Sequence, residues 1–162
     1  MNKFTHMEEF QNILRQRGET VTCAESCTGG LISSMITEIS GSSNIFRGSV
    51  VTYCNEVKEQ ELNVKKETMI KYGAVSTQTV EEMLIGVLNK FDADYAMAVS
   101  GVAGPTGGTK DKPVGTVVVG VMSKKGLKDI DIYCFNGTRK EVQIQAANMA
   151  FERIFKICCK NP

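Results

Sequence analysis

The chain has 162 residues, 42% hydrophobic and 23% charged, with a formal net charge of +1. That size and composition fit one ordinary globular domain, 1–162, whose core needs neither disulfides nor a structural metal. The near-neutral charge removes the electrostatic case for strong nucleic-acid binding, and no apolar run is long enough to span a membrane. The opening MNKFTHMEEF also lacks the apolar centre of a signal peptide, so a cytoplasmic location is expected.

In chain order, Phe4, Met7, Phe10, Ile13 and Leu14 recur at helical spacing, and Gly18 ends that helix after Arg15 and Arg17. A β-branched strand over 20–24 runs into Glu25-Ser26-Cys27-Thr28-Gly29-Gly30, with an apolar helix predicted over 28–38. Strand, tight turn and helix start in that order form the place where α/β proteins mount a nucleophile or hold an anion. Backbone N–H groups at such a turn can also stabilise a developing oxyanion. The only histidine, His6, is distant in sequence. A serine nucleophile here therefore needs another base, and lysine is the obvious substitute.

Ser40-Gly41-Ser42-Ser43 reads as a turn, 49–54 as a strand, and Asn55 as the N-cap of a helix carrying Lys58 and Leu62. A short helix over 66–72 ends at Gly73. Ser76 or Thr77 caps the next helix, whose buried stripe is Val80, Met83, Leu84, Val87, Leu88 and Phe91. A buried strand over 95–100 enters a glycine-rich loop at 101–108. Two paired strands over 114–122 and 130–135 follow, joined by a turn at 123–126, and a helix over 138–158 closes the chain. This alternation implies an α/β protein with a mixed sheet covered on both faces. Ligands in such folds gather at the carboxyl ends of strands, which here carry Ser26, the region around Asn55 and the loop after Ser100.

Six cysteines (Cys23, Cys27, Cys54, Cys134, Cys158 and Cys159) offer no CxxC and no second histidine to complete a zinc site. They read as reduced, partly buried thiols.

The blocks AESCTGG at 24–30, GSS at 41–43, VTYCNEVK at 51–58, GAVS at 73–76, SGVAGPTGG at 100–108 and KPVGTV at 112–117 resemble the CinA C-terminal domain family. In particular they are similar to its stand-alone members, the nicotinamide-nucleotide amidohydrolases. The resemblance covers essentially the whole chain in order. It implies a three-layer α/β/α fold with a mixed, largely parallel central sheet. It also implies cleavage of the carboxamide of nicotinamide mononucleotide by a serine–lysine mechanism, with no metal or other cofactor, in a homodimer.

Under that resemblance Ser26 is the first choice of nucleophile, although a serine at this point commonly caps a helix. Ser43 is the competing hydroxyl, with simple turn chemistry as its ordinary role, and the two serines could share the work. Lys58 is the expected base. This requires a desolvated ammonium with a lowered pKa, where a helix lysine is otherwise a solvated surface charge. The Tyr53 phenol would bridge Lys58 to the serine or orient substrate, or simply fill the core edge. Asn55 would cap the Lys58 helix and face the site. Thr28, Gly29 and Gly30 would supply oxyanion and substrate contacts. In the glycine-rich loop, Ser100, Gly101, Gly104 and Thr106 would cradle a phosphate. Arg139, at the start of the last helix, is the candidate for a bidentate phosphate or carboxylate contact, against the ordinary role of a surface arginine. Cys27 is chemically able to be the nucleophile instead. Glu25 is read as structural, because a carboxylate close to Lys58 would raise its pKa. The alternatives in function are a nucleotide-binding regulatory module linked to competence or DNA processing, and an amidohydrolase acting on another amide.

Overall fold

The computed structural model of the chain describes residues 3–160. Helix α1 (Lys3–Arg17) leads into strand β1 (Val21–Glu25), helix α2 (Leu31–Thr37), a 3-10 turn (Ser42–Asn44) and strand β2 (Phe46–Val51). Helices α3 (Asn55–Leu62), α4 (Lys66–Tyr72) and α5 (Thr77–Phe91) precede strands β3 (Tyr95–Gly101), β4 (Thr116–Ser123) and β5 (Lys128–Cys134), and α6 (Arg139–Cys159) ends the fold. No helix among the described residues is long and apolar enough to cross a membrane.

The strands form one sheet in the order β2-β1-β3-β4-β5. The sheet is mixed as expected, with parallel pairing confined to β2, β1 and β3, while β4 and β5 run antiparallel. Strand residues alternate between two cores, as the two-residue period of a strand requires. Met97, Val99, Val117, Val119 and Val121 pack with Phe10 and Leu14 of α1 and with Ile154 of α6. Ala96, Ala98 and Val118 pack on the other face with Leu84 and Val87 of α5. Small residues let α5 lie close to the sheet: a side chain on Gly120 of β4 would run into Val80 and Leu84. Phe4 falls outside the residues whose side chains are described.

Several boundaries differ from the sequence reading: β2 ends at Val51 rather than Cys54, β4 starts at Thr116 rather than Val114, β5 spans Lys128–Cys134 rather than 130–135, and three further differences have a clear local cause. Helix α2 starts at Leu31 rather than Thr28, because Gly29 and Gly30 take positive φ (59° and 105°) and close a turn first. Strand β2 starts at Phe46 rather than Ser49. Gly48, with φ 130°, interrupts the β-branched pattern where the pairing of β1 with β2 shifts register. Asn55 is not the N-cap of α3; Cys54 holds that position in extended conformation, without a side-chain cap bond. Elsewhere the predicted signals hold. The Ser76 hydroxyl accepts from Thr79 N–H at the start of α5, and Thr138 and Glu141 form a reciprocal capping box on α6. All six cysteines are free, and Cys54, Cys134 and Cys159 are exposed.

Candidate active site

The carboxyl ends of β1, β2 and β3 lie side by side, and the chain leaves each of them into a loop that contributes to one cleft. Ser26 follows β1 directly. Its N–H donates to Val99 O of β3 at 3.1 Å, while Thr52 N–H donates to Glu25 O at 2.8 Å, so the sheet ladder continues to the last residue before each loop. Ser26, Cys27, Tyr53, Gly101, Gly104 and Arg139 are among the residues lining the cleft, which holds about 570 Å³ of empty space.

Behind Ser26 stands Lys58. One turn into α3, its side chain points back beneath the sheet edge and is 1% exposed. Its Nζ donates to Thr52 O at 2.8 Å and to Ser26 Oγ at 3.3 Å. Among the described residues no carboxylate pairs with it. Burial therefore lowers the Lys58 pKa from its ordinary value, against smaller opposing influences from the Cys54 and Cys27 thiols. A lysine and a serine hydroxyl in direct contact, with the lysine desolvated, are the pair that a general base and its nucleophile require.

Glu25 explains why the turn has its shape. It is fully buried and points away from Lys58, into the first turn of α2. Its carboxylate accepts from the N–H groups of Gly30, Ile32 and Ser33 at 2.9–3.1 Å and from the hydroxyls of Thr28 and Ser33 at 2.6 and 2.8 Å. Three helix-start amides that lack an intrahelical partner are satisfied by one side chain, with the favourable sign of charge for a helix N-terminus. The structural reading of Glu25 holds.

Cys27 reaches the cleft but is 4% exposed, and burial pushes its thiol pKa up to about 12. At neutral pH it is a protonated thiol and a poor nucleophile. This separates it chemically from the neighbouring serine.

The glycine-rich loop follows β3. Gly104 has φ 82°, and a side chain there would run into Val114. Val102 N–H is spent on Thr116 O. The amides of Ala103, Gly104, Thr106 and Gly107 close no hydrogen bond among the described residues, leaving a row of donors at the cleft wall. Opposite them, Arg139 opens α6. Its Nη1 donates to Gly104 O at 2.7 Å and its Nη2 to Tyr53 Oη at 2.6 Å, joining the loops after β2 and β3.

Several expected roles do not match these placements. Ser43 sits in the 3-10 turn before β2, at the amino end of the parallel strands, whereas Ser26 is at their carboxyl end. Roughly 20 Å of strand separates those ends, so Ser43 is not brought to this cleft. Tyr53 neither bridges Lys58 to Ser26, which touch directly, nor fills the core edge; it is 59% exposed and turned to Arg139. Asn55 is exposed and does not line the cleft. The Thr28 hydroxyl is spent on Glu25, and Gly30 N–H likewise. Gly29 N–H closes the turn onto Ser26 O. Ser100 is buried, with its hydroxyl on Ala74 O at 2.8 Å, so it ties β3 to the segment before α5 and does not face a ligand. Gly101, Gly104, Thr106 and Arg139 do line the cleft.

Two contributors were not foreseen. Thr52 supplies the carbonyl that holds the Lys58 amine, and Gln143 of α6 donates from Nε2 to Cys27 O at 2.9 Å. Gln143 lies four residues after Arg139, and that helical spacing was the available signal. Among the described residues no group of three His, Cys, Asp or Glu could hold a metal ion.

Known proteins share this arrangement of chain. The CinA-like proteins of Endomicrobium trichonymphae and Prochlorococcus marinus (strain AS9601) are 50% and 48% identical over 140 and 136 residues. The chain spans 32% of the length of each of these longer relatives. The nicotinamide-nucleotide amidohydrolase PncC of Escherichia coli (strain K12) is 44% identical over 154 residues, 95% of this chain and 93% of that protein. The crystal structure of a CinA superfamily protein from Klebsiella pneumoniae 700603 superposes with a TM-score of 0.92 at 32% identity, covering 99% of each chain. A profile of the CinA C-terminal domain matches residues 3–158. With sequence and fold agreeing over nearly every described residue, the chain belongs to the CinA C-terminal domain family.

Proposed function

We propose that this protein is an amidohydrolase of a pyridine mononucleotide, releasing ammonia from the carboxamide of nicotinamide mononucleotide to leave nicotinic acid mononucleotide. The observation that carries the reading is the 3.3 Å contact of the buried Lys58 amine with Ser26 Oγ at the head of an open cleft. Similarity to PncC over nearly the full length of both chains supports the choice of substrate.

In this mechanism neutral Lys58 takes the Ser26 proton as Oγ attacks the carboxamide carbon. The C=O π electrons move to oxygen, giving a tetrahedral oxyanion. Lys58, now protonated, delivers the proton to the departing nitrogen, the C–N bond breaks and ammonia leaves an acyl-Ser26 ester. Water then attacks the ester carbon with Lys58 again as base, and Ser26 regains its proton. The free amides of the glycine-rich loop and the Arg139 guanidinium are the donors suited to the ribose phosphate. Anchoring that distant group orients the amide for attack.

The test is ammonia release from nicotinamide mononucleotide by purified protein in the presence of a chelator, with the product identified as nicotinic acid mononucleotide. Turnover unaffected by chelator is expected. Binding of the nucleotide without any release of ammonia would reject the reading in favour of a nucleotide-binding module. The homodimer implied by the family resemblance is part of the same proposal.

A further inference from the structure

The backbone amides of the nucleophile turn can be accounted for one by one. Ser26 N–H goes to Val99 O, Gly29 N–H to Ser26 O and Gly30 N–H to Glu25. The amides of Cys27 and Thr28 close no hydrogen bond to another residue among the described residues. They are consecutive, they directly follow the nucleophile, and Cys27 lines the cleft. The Cys27 amide meets its own thiol, which leaves the Thr28 amide as the donor of the turn available to an oxyanion.

What orients the Thr28 amide is a side chain from the other end of the chain. Gln143 Nε2 donates to Cys27 O at 2.9 Å, a bond between residues 116 positions apart. A carbonyl oxygen only accepts, so the carboxamide presents its nitrogen here. The Cys27 carbonyl and the Thr28 N–H belong to one planar trans peptide and point in opposite directions. A bond that fixes the first fixes the second. Glu25 already anchors the far side of the turn through Thr28 Oγ1 and Gly30 N–H, so the Cys27–Thr28 peptide is gripped from α6 on one side and from the buried carboxylate on the other. Gln143 is half-buried and lies one helical turn from Arg139, so a single face of α6 holds the glycine-rich loop, Tyr53 and the nucleophile turn.

We propose that Gln143 is a positioning residue of the reaction: its carboxamide sets the plane of the Cys27–Thr28 peptide so that the Thr28 amide meets the oxyanion formed on attack by Ser26. The inference rests on the amidohydrolase reading. It is tested on the full chain with nicotinamide mononucleotide as substrate, comparing wild type with Gln143→Met, which keeps side-chain length but cannot donate. The expected result is a kcat lower by about 10- to 100-fold, less than the loss of a direct oxyanion donor. KM should stay within about threefold, because the interaction acts on the transition state. A residue of merely structural importance would lower the melting midpoint and leave the kcat of folded protein unchanged. If Gln143→Met does not fold, Gln143→Ala is measured in its place, since alanine is the most favourable helix residue. A folded variant with wild-type kcat, or one with raised KM and unchanged kcat, overturns the inference while leaving the amidohydrolase reading standing. A wild type with no turnover removes both.

Discussion

Lys58 shows how one residue acquires an environment that its type does not suggest. Lysines are almost always solvated, but here α3 turns the side chain under the carboxyl edge of the sheet, where among the described residues it finds a carbonyl and a hydroxyl and no carboxylate. The cost of holding a charge there lowers its pKa from the ordinary 10.5, with desolvation as the largest cause. The sign of the stability effect follows. Between the lowered folded-state pKa and 10.5 the unfolded chain binds the extra proton, so stability rises with pH across that window. Lys58→Met abolishes this dependence. Thermal melting of wild type and Lys58→Met as a function of pH should show the wild type gaining on the variant as pH rises through the window. Parallel curves would mean that Lys58 titrates as an ordinary exposed lysine. Its role was legible only through the family resemblance, because nothing in the pattern NEVKEQEL distinguishes a buried lysine from a surface one.

At the scale of elements, the β1–α2 connection carries Ser26, the proposed nucleophile, and its geometry depends on Glu25. Strand, turn and helix could be read from the sequence in that order. The start of α2 could not, because the first three predicted helix residues are used to wrap the backbone around a buried carboxylate. Gly48 hid the start of β2 in the same way: a local backbone irregularity defeats a pattern that counts side chains. Replacing Glu25 by Ala strands the N–H of Ile32 in the interior and leaves those of Gly30 and Ser33 unpaired at half-buried positions. The expected loss of stability is roughly 3 kcal/mol, at 1–3 kcal/mol for each buried unsatisfied group less what water recovers. Urea denaturation measures it. A loss under ~1 kcal/mol would show that the turn keeps its shape without the carboxylate.

Across the whole molecule, the cleft exists because three parallel strands end together and α6 returns across them. Serine from β1, lysine from the helix after β2, the glycine-rich loop after β3 and arginine from α6 meet only in the folded chain. The convergence of Ser26 and the glycine-rich loop was legible from strand order, since ligand sites in open α/β sheets lie beyond the carboxyl ends. That order also separates the two serines. Both sit in serine- and glycine-rich turns next to strands; the sequence put Ser26 first but left Ser43 in competition. Topology puts Ser43 at the opposite end of β2 from the cleft. The pairing of β4 with β5 was legible from the short turn that joins them, whereas the antiparallel pairing of β4 with β3 is a property of the assembled sheet, because both strands read as continuous apolar runs.

The central claim is that Ser26 and Lys58, and no other hydroxyl or thiol, carry out the reaction. The most direct measurement is the rate of ammonia release from nicotinamide mononucleotide by Ser26→Ala, Lys58→Ala, Cys27→Ala and Ser43→Ala beside wild type, each verified as folded. The account predicts a fall of at least ~10³-fold for Ser26→Ala and for Lys58→Ala, with Cys27→Ala and Ser43→Ala within about tenfold of wild type. Near-normal release by Ser26→Ala, or a collapse in Cys27→Ala or Ser43→Ala matching that of Lys58→Ala, would contradict it.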